Sequence, residues 1–76
     1  MTTTLTGIYQ GANQWRIKIQ LKPECGIWVG TAVASCEAGN FSVIKAKRYE
    51  QTAESVQIAV TELLYETITK NEKRGY

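Results

Sequence analysis

The 76-residue sequence predicts an α+β fold: a four-stranded antiparallel sheet, in the order β-β-β-β-α, with one C-terminal amphipathic helix packed on one face. Three observations predict it. Residues 15–22 alternate apolar and polar without a break. Residues 27–34 are apolar on both parities and small at Gly30, Ala32 and Ala34. Residues 52–70 gather their apolar side chains on one side when wound at about 100° per residue.

The first strand is expected over 5–10, a Thr-rich run that includes Ile8 and Tyr9. Gly11, Ala12 and Asn13 follow, a segment whose residues tolerate positive φ, so the first two strands read as a hairpin. On the second strand, 15–22, Trp15, Ile17, Ile19 and Leu21 share one face, and Arg16, Lys18, Gln20 and Lys22 share the other. Pro23 lacks the N–H that a ladder requires, which predicts the strand's end at Lys22-Pro23-Glu24. The third strand, 27–34, suits a central position where something packs closely against its small residues. A turn at Glu37-Ala38-Gly39-Asn40 leads to a fourth strand over 41–49, whose apolar periodicity weakens toward its end.

The helix is expected over 52–70. Thr52 suits an N-cap, Glu54 the positive end of the helix dipole and Lys70 its negative end. Ala53, Val56, Ala59, Val60, Leu63, Leu64 and Thr67 form the stripe that lids the sheet. Residues 1–70 therefore read as a single compact α+β domain, and 71–76 as a mobile charged tail.

Composition narrows the function. A domain this short buries only about 60% of the surface of its unfolded chain, so most apolar residues are committed to packing. Leu, Ile, Val and Phe are 17 of the 76 residues, just above the roughly 20% below which disorder prevails. The chain has no His and no Asp, and no Gly-rich phosphate loop, GxSxG or Cys-His arrangement. An enzyme is not expected: there is no candidate catalytic residue, no cofactor and no metal site. Cys25 and Cys36 flank the third strand, which separates them by roughly 36 Å, against the 7 Å or so a disulfide allows. Two free thiols are the expectation, and two Cys without His leave a zinc shell half empty. No run of 18 apolar residues is present, so no membrane span is expected. The N-terminal stretch lacks a basic n-region and an apolar h-region, which points to a cytoplasmic location.

One helix covers one face of a sheet and leaves the other open. Residues 1–51 carry six cations against three carboxylates, and 52–76 carry three against four. If Trp15, Ile17, Ile19 and Leu21 face the helix, Arg16 and Lys18 lie on the open face, and Lys45 and Lys47 join them from the fourth strand. Trp28 or Phe41 is expected to add an aromatic ring. Arg16, Lys18, Trp28, Lys45 and Lys47 thus form a candidate nucleic-acid surface, cations for phosphate and rings for stacking. Such cations also serve simply to keep an open sheet soluble. Ile58 and Tyr65, seven residues apart and about 180° from the apolar stripe, are candidates for a protein interface, including that of a homodimer.

Gly7-Ile8, Trp15, Ile19, Trp28, Gly30-Thr31 and later Thr52-Ala53-Glu54 resemble the ethylene-response-factor type of DNA-binding domain. The resemblance covers about half the chain and implies a sheet laid in the DNA major groove, with Arg16, Lys18 and Trp28 on the DNA-facing side. That family passes almost directly from its Gly-Thr strand into the helix, whereas about twenty residues intervene here, and its sheet is richer in Arg. Two functions follow as expectations. The first is nucleic-acid binding through the basic sheet face. The second is a protein-binding regulator or inhibitor of the phage or mobile-element kind, acting through protein–protein contacts.

Overall fold

The computed structural model describes residues 2–36 and 42–74. Four strands and a helix follow in the expected order: β1 (Thr3–Gln10), β2 (Gln14–Glu24), β3 (Ile27–Cys36), β4 (Ser42–Glu50) and α1 (Ala53–Arg74). The strands form one antiparallel sheet in sequence order. The turn expected at Glu37–Asn40 and the side chain of Phe41 lie outside the described residues.

The alternation of β2 sets the face of every other strand through the register. Ile17, Ile19 and Leu21 stand opposite Ala34, Ala32 and Gly30, and Ala34 and Ala32 stand opposite Ile44 and Ala46. These residues are buried beneath α1 together with Trp15. From the helix, Val56, Val60, Leu64 and Ile68 enter the same core with no exposed surface. Burying each such side chain contributes about 1.5–3 kcal/mol.

The close packing expected against the small residues of β3 is made by the helix, on the parity from which Trp28 was expected to point outward. A Cβ added to Gly30 would stand 3.0 Å from the Val56 side chain and 3.3 Å from that of Val60. Thr52 caps α1: its Oγ1 accepts the Ser55 N–H at 3.0 Å, and its carbonyl accepts the Val56 N–H at 3.0 Å.

Several boundaries differ from expectation: β1 begins at Thr3 and not at Leu5, β3 runs to Cys36 and not to Ala34, and β2 and α1 extend further as well. β2 runs through Pro23 to Glu24, because Pro23 pairs with Trp28 on the β3 side while β1 has already ended opposite Leu21. The missing N–H therefore interrupts no ladder. Cys25 and Gly26, at φ 52° and 83°, then make a two-residue hairpin turn with two left-handed residues. Both cysteines are free, Cys25 exposed and Cys36 buried.

The loop at Gly11–Asn13 joins β1 to β2, yet no residue in it has positive φ. It is held instead by a carboxylate from the far end of the chain. Helix α1 continues to Arg74, so residues 71–74, expected as part of a mobile tail, are helical. From that last turn Glu72 accepts the Ala12 N–H at 3.2 Å, the Asn13 N–H at 2.9 Å and the Trp15 indole N–H at 2.9 Å. The approach is close at Gly11: a Cβ there would stand 2.6 Å from the Glu72 Oε1, so the carboxylate would have to shift. No described helix is long and apolar enough to cross a membrane.

Candidate nucleic-acid interface

Side chains of the opposite parity make up the face that α1 leaves open. The register arranges them in rows across the sheet. Ile8, Arg16, Ser35 and Val43 form one row; Thr6, Lys18, Val33 and Lys45 the next. Thr4, Gln20, Thr31 and Lys47 follow, and then Lys22, Val29 and Tyr49. At about 4.8 Å per strand, Lys18 and Lys45 flank Val33 with backbones some 10 Å apart. Along one strand, Arg16 and Lys18, or Lys45 and Lys47, are about 7 Å apart.

Arg16, Lys18, Lys45 and Lys47 are therefore brought together on one face, all exposed. Lys22 joins them, so five of the nine Lys and Arg residues lie here. Glu24, 3.9 Å from the Lys22 ammonium, is the carboxylate on this face among the described residues. The other described carboxylates, Glu50 on β4 and Glu54, Glu62, Glu66 and Glu72 on α1, belong to the helix side. Charge is thus divided between the two sides of the molecule more sharply than between the two halves of the sequence.

Around Arg16, Lys18 and Lys45 the surface between the cations is largely apolar, whereas Gln20 and Thr31 lie between Lys22 and Lys47. A shallow groove runs between Thr6, Ile8, Arg16, Lys18, Val33 and Ser35, and a second lies between Thr31, Val33, Lys45 and Lys47. Ile8, Val33, Val43 and Tyr49 are all exposed.

Trp28 is not on this face. It stands opposite Pro23 and Glu50, on the parity of Gly30 and Ala32, and packs half-buried against the core under α1. The small residues that made an outward Trp28 attractive are small because the helix presses on that side. Because β3 is apolar on both parities, its own pattern cannot say which face is which. Among the described residues the aromatic side chain of the open face is Tyr49, which the sequence reading passed over. Its parity with Lys45 and Lys47 was the available signal, obscured by the weak periodicity at the end of the strand. The Lys47 ammonium lies 5.3 Å from the Tyr49 ring centroid. Tyr49 raises the Lys47 pKa, chiefly by hydrogen bonding.

Ile58 and Tyr65 are exposed, but Tyr65 does not project straight away from the sheet. Tyr65 stacks on Tyr9 of β1, with ring centroids 4.8 Å apart. The core positions of α1 step by four, each advancing about 40° round the axis. By Leu64 and Ile68 the buried side has wound toward Tyr65, which thus reaches the sheet while Ile58, two turns earlier, does not.

Comparison with protein-family models, curated proteins and solved structures finds no match to this chain. Fold and surface together define a small α+β protein with one sheet face uncovered, cationic and studded with exposed apolar side chains.

Proposed function

We propose that the protein is a non-enzymatic binding module whose open sheet face engages the phosphate backbone of a nucleic acid. The observation that carries this reading is the gathering of Arg16, Lys18, Lys22, Lys45 and Lys47 on one face beside a single described carboxylate. Arg and Lys at such spacing supply phosphate contacts, and Tyr49 supplies a ring on which a base stacks. The outer strands are about 14 Å apart, wider than the roughly 12 Å major groove, so the face suits a single strand better than the groove of a duplex. The groove-binding mode implied by the family resemblance is set aside on that ground.

The test is fluorescence anisotropy with labelled single-stranded DNA, duplex DNA and RNA at two salt concentrations. Five phosphate contacts to a single strand give a slope of log affinity against log salt of about −3.5. The pair Lys18→Glu and Lys45→Glu should weaken binding at least about tenfold. Tyr49→Ala should cost a single strand about 1–3 kcal/mol and a duplex far less. Binding indifferent to the charge reversals would remove the sheet face from consideration.

A second reading is favoured by Ile8, Val33 and Val43, exposed among the cations. An apolar surface ringed by positive charge also fits an acidic patch on a protein, as a regulator or inhibitor would use it. Absence of nucleic-acid binding even at low salt would turn the assignment to that partner.

A further inference from the structure

The two edges of the sheet are built differently. β4 carries Lys45, Lys47, Arg48 and Glu50 within nine residues, the kind of charge that keeps an edge from pairing with another chain. β1 carries no charge at all in Thr3–Gln10, and no proline. Its eight residues pair with β2 in unbroken register, so no bulge twists the edge away. Helix α1 lies over β2, β3 and β4 and makes no backbone approach to β1. No described element covers the outer side of β1, where alternate N–H and C=O groups face outward.

We propose that β1 pairs antiparallel with β1 of a second copy of this chain, joining two four-stranded sheets into one of eight strands about a two-fold axis. Three features select a second copy over a foreign strand. An antiparallel strand paired with itself closes after two molecules, each contact being made twice. Neutrality is what self-pairing needs, since a charge near the strand centre would meet its own like charge, whereas an edge shaped for a charged partner would carry the opposite sign. Pairing centred on Thr6 sets it against its own copy, and a Thr–Thr pair across an antiparallel junction is favourable. Ile8, 65% exposed and the most exposed large apolar residue described, gains the partner strand's side chains as neighbours.

This pairing stands independently of the nucleic-acid reading. If both hold, the two open faces become one surface bearing ten cations.

Sedimentation equilibrium over a concentration series tests it. The wild-type mass should rise toward twice 8.5 kDa. Thr6→Glu places a carboxylate across from Lys18 of the same chain, which favours the fold, and near its own copy in the dimer, which opposes pairing. That variant should keep the wild-type far-ultraviolet circular dichroism and raise the dimer dissociation constant at least about tenfold. In wild type, amide exchange of β1 should slow as concentration rises, a readout that needs no variant. A single-chain mass throughout, a dimer indifferent to Thr6→Glu, β1 exchange independent of concentration, or dissociation by Ile58→Lys in place of Thr6→Glu would each overturn the proposal.

Discussion

Glu72 sits in the last turn of α1, where the helix dipole disfavours a negative charge. Three N–H donors more than offset that cost, and one belongs to Trp15, which is 1% exposed. The Trp15 indole and the Asn13 and Ala12 amides hold the Glu72 carboxyl below its ordinary pKa. A group whose pKa is lowered on folding stabilises the native state above the unfolded value, near 4.3, and loses that contribution as pH falls through the folded value. Stability should therefore fall as acid protonates Glu72, and Glu72→Gln should flatten that part of the profile in urea titrations across pH 2–6. Glu72→Ala leaves the buried Trp15 N–H without its acceptor and should cost about 1–3 kcal/mol at neutral pH. An unchanged midpoint in urea would mean that water replaces the carboxylate at no cost. Nothing in the local sequence marks this residue: it lies in a charged run without periodicity, and the indole it binds is 57 positions away.

At the level of elements, the helix–sheet contact depends on how low α1 can sit on β3. A methyl group at Gly30 would meet the Val56 and Val60 side chains at 3.0 and 3.3 Å, and the Val56 carbonyl oxygen at 3.4 Å. Val56 and Val60 are β-branched and stiff at χ1, so they yield little and the first turns of α1 would have to lift by a few tenths of an ångström. Gly30→Ala should therefore destabilise by about 1–3 kcal/mol in chemical denaturation, despite adding apolar surface to the core. A stabilised variant would show that the helix adjusts freely. The closeness of this packing was legible in the spacing of Gly30, Ala32 and Ala34. The side on which it occurs was not, because β3 is apolar on both parities and receives its orientation from its neighbours β2 and β4. Trp28 was misplaced for that reason, and Tyr49 was missed for want of a clear alternation at the end of β4.

For the whole molecule, the separation of charge has two consequences of opposite sign. Five cations on one face repel one another, which opposes the compact state and is relieved by salt. The thermal midpoint should rise by about 2–5 °C between roughly 20 mM and 200 mM salt, followed by circular dichroism. Nucleic-acid affinity should fall over the same interval, since counterions compete for the phosphates. A midpoint that fell with salt would show that attraction across the molecule outweighs repulsion within the face.

The sequence by itself determined the order of elements, the buried and exposed faces of β2, the Thr52 cap and the company of Arg16 and Lys18. Each follows from a pattern of period two or 3.6, or from one residue's effect on its own neighbours, and such information is local. Tertiary structure alone decided the face of Trp28, the extension of α1 to Arg74, the Tyr9–Tyr65 stack and the role of Glu72. These depend on which distant groups the register and the winding of the helix bring within a few ångströms, and no local pattern encodes that.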